Sequence, residues 1–134
     1  MKSSIIQFTV ITLFLTFITM TSCSEDNHID ANVHIHITSP VASSEFHLGD
    51  TVKIQGSVSA NTDMHGYEVK IKNLTADSVA FVAYHHDHGT SFSINEQWIN
   101  NVTTHSDMRL VIKVEADHNG TLVSDSLNFH CHPM

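Results

Sequence analysis

The sequence predicts an all-β fold, an antiparallel sandwich of about seven short strands around one core. Three observations carry that expectation. Apolar residues recur at every second position in most segments, as in strands with one buried face. The clearest case is residues 108–117, where Met108, Leu110, Ile112, Val114 and Ala116 alternate with Arg109, Lys113 and Glu115. Turn-forming pairs such as Gly49-Asp50 and Asn119-Gly120 separate these segments, and no stretch from Ser24 onward places its apolar residues at helical spacing.

Taken in order, residues 32–38 alternate strictly, with Val33, Ile35 and Ile37 on one face and His34 and His36 on the other. Ser39-Pro40 ends that strand, residues 45–48 form a short extended piece containing His47, and Gly49-Asp50 turns. Residues 51–59 are the next strand, with Val52, Ile54 and Val58 inward. Residues 60–66 read as a loop carrying Asp63, Met64 and His65. Residues 67–72 and 78–84 are strands joined by a polar turn, and a loop over 85–89 follows. Residues 91–94 are short and alternating, and Trp98 leads toward a polar loop with His105. After the strand from Met108, His118-Asn119-Gly120 forms a tight hairpin turn, because Asn-Gly accepts the positive φ that such turns need. Residues 121–129 return, with Val123, Leu127 and Phe129 inward. Spacing and alternation together suit an immunoglobulin-like sandwich.

The beginning of the chain has a different character. A charged start, Met1-Lys2-Ser3-Ser4, precedes an uncharged apolar, Thr-rich run and then Met20-Thr21-Ser22-Cys23. That order describes a secretory signal peptide, and the apolar run is shorter than the roughly 20 residues that span a bilayer comfortably. Met20-Thr21-Ser22-Cys23 resembles a bacterial lipobox, with Met20 in place of the usual Leu. The resemblance implies cleavage before Cys23 and acylation of Cys23, palmitate included. Ser24-Glu25-Asp26 is similar to the acidic tether of Bacteroidota surface lipoproteins, which implies export and anchoring to the outer membrane with the domain exposed at the surface. The organisation expected is a lipoprotein signal peptide over 1–22, a lipidated tether over 23–31 and the sandwich domain over 32–134. Ile37-Thr38-Ser39-Pro40, the run from Phe46 to Ile54, Asp107-Met108-Arg109-Leu110 and Asp117-His118-Asn119-Gly120 resemble Ig-like domains of Bacteroidota lipoproteins, many of them in families without an assigned function.

Composition excludes some partners. Fourteen acidic side chains face six basic ones, a balance opposed to nucleic acid, whose phosphates need a basic surface. With Cys23 acylated, Cys131 has no partner for an internal disulfide. The chain has no Gly-rich phosphate loop, no Gly-x-Ser-x-Gly elbow and no His-Glu-x-x-His helix, so no enzyme activity is expected.

Histidine is the unusual component, twelve residues against six Lys plus Arg. Tyr84-His85-His86-Asp87-His88-Gly89 is the densest patch, and neutral imidazole is the commonest side-chain metal ligand. Threading alternate strands up and down sorts the histidines into two groups. His65, His85, His86, His88 and His118 fall at one end, with Asp63, Asp87 and Asp117 and with His28 or His34 nearby. His47, His105, His130 and His132 fall at the other, and His130 and His132 share a strand face with Cys131 opposite. Imidazoles with carboxylates suit zinc or copper. Phe129-His130-Cys131-His132-Pro133-Met134 resembles the His-Cys-His segment of multicopper oxidases and other cupredoxin-like proteins, which implies a copper site. It departs from them in having no downstream His and axial Met at the family spacing. Two readings follow: a membrane-anchored module that binds a transition metal for acquisition, buffering or delivery, and a structural lipoprotein that engages an envelope protein partner and has no specific metal site.

Overall fold

In the computed structural model the residues described are 32–134, and the expected signal peptide and the whole of the tether, with Cys23 and His28, lie outside them. Eight strands run in the order β1 (Val33–Ser39), β2 (Glu45–Phe46), β3 (Thr51–Met64), β4 (Gly66–Asn73), β5 (Ser78–His85), β6 (Gly89–Ile99), β7 (Ser106–Glu115) and β8 (Leu122–Cys131). They form a three-stranded sheet, β1-β3-β6, and a five-stranded sheet, β2-β8-β7-β4-β5. The all-β sandwich expected from the sequence is therefore the fold observed. Its one parallel pairing sets Glu45 beside His130 and Phe46 beside Cys131.

The inward rows of the two sheets make the core. On β7, Met108, Leu110, Ile112 and Val114 are all 0% exposed, as is Ala116 just past its end, as the alternation requires. Val52, Ile54 and Val58 of β3, Val69 and Ile71 of β4, and Phe92, Ile94 and Trp98 of β6 close over them. Cys131 continues the inward row of β8 after Leu127 and Phe129, and it is fully buried.

Three segments differ from the sequence reading. Residues 60–64 are strand, not loop: Ala60, Thr62 and Met64 still point inward while Asn61 and Asp63 point out. Polar residues there reflect an exposed face, and the β3–β4 turn is reduced to His65. Strand β6 is one continuous element of 11 residues. Its alternation is disguised by Glu96, a carboxylate at the inward position between Ile94 and Trp98. The β7–β8 connection is longer than a tight hairpin turn, since the last cross-strand pair is Glu115 with Leu122. Asp117 organises it: one carboxylate oxygen accepts from the Asn119 and Thr121 amides at 2.9 and 3.0 Å, the other from the Thr121 hydroxyl at 2.7 Å. Gly120 supplies the left-handed residue, φ 80°.

Deletion of a buried methylene cluster removes both its transfer energy and its packing. Ile112→Ala is expected to destabilise the domain by about 2–5 kcal/mol. Val79→Ala, on a side chain already 55% exposed, is expected to change it by under about 0.5 kcal/mol. Urea denaturation of the two variants checks the contrast.

Candidate metal centre

Because β7 and β8 are antiparallel, the start of one lies beside the end of the other, with Asp107 paired to His130 and Ser106 to Cys131. Alternation then puts Cys131 in the core and His130 and His132 on the outer side. His105 stands just ahead of β7, and its neighbours hold it there. Ser106 Oγ donates to the Thr104 carbonyl at 2.9 Å and accepts from the Asn73 side-chain amide at 3.1 Å.

A second buried amide ties the remaining pieces. Asn100 is 0% exposed. Its Nδ2 donates to the carbonyls of Phe46 and His132 at 3.2 and 3.3 Å, and its Oδ1 accepts from the Val102 amide at 3.1 Å. The His132 amide also donates to the Phe46 carbonyl at 2.8 Å. The segment carrying His47, the end of β8 and the β6–β7 connection are thus knitted through one carboxamide.

His105, His130 and His132 each offer a ring nitrogen, and these donor atoms all lie within 4.8 Å of one another. The Nδ1 atoms of His132 and His105 are 2.9 Å apart, so a single proton is shared between two lone pairs. His130 Nδ1 is 2.9 Å from Asp107 Oδ1. An ionised carboxylate only accepts, so His130 donates from Nδ1 and Nε2 is the nitrogen left for a metal, the arrangement that outer carboxylates impose on metal-binding imidazoles. His132 Nε2 is sealed from solvent without a hydrogen-bond partner, and Glu45 Oε2 lies 3.5 Å from it. A buried polar atom left in that state costs about 1–3 kcal/mol. His47 stacks on His132 with ring centroids 5.3 Å apart, and its own amide donates to Asp50 Oδ2 at 2.7 Å. Three imidazoles with carboxylates behind them suit zinc or copper.

At the opposite end the structure brings together part of the other group. His65 Nε2 and His118 Nδ1 are 2.8 Å apart, and the His88 ring meets His65 edge-on with centroids 4.7 Å apart. His86 touches only His88 of this group, at 5.2 Å. His85 turns elsewhere. Its Nε2 donates to Glu96 Oε1 at 2.7 Å and its ring stacks on Tyr67 at 4.7 Å. That contact satisfies the inward Glu96 between strands of different sheets. Of the acids assigned to this end, Asp87 accepts the His88 amide at 2.9 Å and Asp117 closes its own loop. His34 and His36 stand exposed on β1, which pairs with β3 rather than β8.

The roles of Asp107, Glu45 and Asn100 had not been read from the sequence. Asp107 was detectable in principle, being the outward residue beside His130 once the β7–β8 register is known. Glu45 was not, because its position depends on the parallel β2–β8 pairing. The His-Cys-His resemblance fails at its centre. Cys131 faces the core, away from both histidines, and burial, with the Asp50 carboxylate second, pushes its thiol up to about 11. It is a packed thiol, not a thiolate ligand. Comparison with protein-family models and with curated proteins finds no match, so the chemistry of the site rests on its own geometry.

The raised thiol has a thermodynamic consequence. In the unfolded chain Cys131 ionises from about pH 8.5, while the folded thiol holds its proton up to about 11. Between those values the unfolded state binds fewer protons, so stability is full below the window and falls as pH rises through it. The denaturation midpoint of the wild type is expected to drop more steeply across this range than that of Cys131→Ala, followed by urea titration at successive pH values.

Proposed function

We propose that this protein is an exported, lipid-anchored β-sandwich module that binds a transition-metal ion, zinc or copper, at His105, His130 and His132, for acquisition, buffering or delivery of the metal in the cell envelope. The observation that carries the reading is the convergence of three imidazole donors within 4.8 Å. Around them Asp107 orients one ring, and a second ring carries a buried nitrogen without a hydrogen-bond partner. The anchor rests on Met20-Thr21-Ser22-Cys23, and the acidic Ser24-Glu25-Asp26 that follows supports the outer surface as its destination. A lipid chain at Cys23 ties a water-facing domain to a membrane without a spanning segment.

The competing reading, a structural module that engages an envelope protein, draws on His85. That residue is committed to a hydrogen bond with Glu96 and shows that imidazoles in this fold also serve to satisfy carboxylates. Metal titration separates the two. Zinc or copper is expected to bind the purified protein tighter than about 10 μM, roughly 6.8 kcal/mol. Weaker binding of both ions would leave the structural reading standing. His132→Ala is expected to abolish tight binding at this centre. Asp107→Asn, which leaves the three rings in place, is expected to weaken it by about 10–100-fold. Protonated imidazole cannot ligate, so affinity at this centre is expected to decline in acid. The anchor has its own test: Cys23→Ser should eliminate incorporation of labelled fatty acid, and persistence of the label would remove Cys23 as the acylated residue.

A further inference from the structure

The histidines at the far end of the sandwich are not needed for the centre just described, and their geometry asks for its own account. His65 is the whole of the β3–β4 turn. Its amide donates to the Glu115 carbonyl at 2.9 Å, and Gly66 follows at φ 132°, a conformation that side chains rarely adopt. The turn is therefore held by backbone, and the His65 side chain is aimed by it. That side chain is 8% exposed, yet its Nε2 meets His118 Nδ1 at 2.8 Å. His88 adds a third ring against His65 at 4.7 Å. The three rings come from three separate connections: β3–β4, β5–β6 and β7–β8. The exposed position of His118 opens the pair to solvent.

Neutral imidazoles pressed together share one proton between two lone pairs, and a borderline transition-metal ion is the ligand that can take both lone pairs at once. We infer that His65 and His118, whose ring nitrogens meet at 2.8 Å with the His88 ring packed against His65, form a second transition-metal site, so that the protein carries one ion at each end of the sandwich. The second site stands on different residues from the first and does not depend on it. His85 is outside it, since its Nε2 is engaged by Glu96. A bound ion would join the β3–β4 and β7–β8 connections through their side chains.

Calorimetric titration of the purified protein with zinc(II) alone tests the inference. Two equivalents are expected for the wild type and for His85→Ala, and one each for His118→Ala and for the His105→Ala/His132→Ala double variant. His118 is exposed, which makes its substitution the mild one. His65→Gln serves as a second variant, with far-UV circular dichroism confirming the fold of each. The inference is overturned if His118→Ala and His65→Gln both keep two equivalents, or if the wild type binds a single equivalent that the His105→Ala/His132→Ala variant loses. A single equivalent lost with His118→Ala, and kept by the double variant, would uphold the second site and remove the first. No binding by the wild type would overturn both.

Discussion

The inward row of β7 is the constraint on which the rest depends. Its inward side chains from Met108 to Val114, with Ala116 just past its end, are fully buried, and β7 is paired on both flanks, with β4 and with β8. A slip of one residue on either side would turn buried rows outward, so the registers of β4 and β8 are fixed by what β7 must hide. The ends of those strands are fixed in turn. His65 comes to rest beside the last residues of β7 and His130 beside its first. Both histidine groups are consequences of hydrophobic burial acting at a distance through strand register.

Buried polarity does the finer positioning. Hydrophobic contact does not dictate the path of a connection, but a sealed amide does, because each of its donors and acceptors must be met. Asn100 meets carbonyls on two segments and an amide on its own, and Asn73 with Ser106 does similar work beside His105. Glu96 and His85 do so across the two sheets. These polar contacts are directional and short, and the metal chemistry proposed above rests on the imidazoles set at their ends.

Much of the fold was legible from alternation because most strands expose one face. It failed where that contrast was blurred. Asn61 and Asp63 looked like loop because they form the wet face of a strand extension, and Glu96 broke an apolar row whose carboxylate is satisfied by a partner eleven residues away. The division of the histidines into two ends follows from counting strand directions, and it needs no side-chain detail. Which members of each group meet could not be read this way. His85 differs from His88 only in which side of a turn it leaves, and Glu45 reaches His132 through a parallel pairing between segments far apart in sequence. The His-Cys-His spelling was misleading for a physical reason: on a strand, neighbours in sequence face opposite directions.

That opposition on β8 has a mechanical side. Cys131 plugs the core from the same strand end that holds His130 and His132 outside. Strand ends fray more readily than strand middles, and here fraying must withdraw the thiol from its packing in the same movement that scatters the imidazoles. Any ligand gripping those two rings would therefore resist peeling of β8, by mass action on the closed state. Slower amide exchange at that end of β8 would then report occupancy of the outer face, although the residue being protected points the other way.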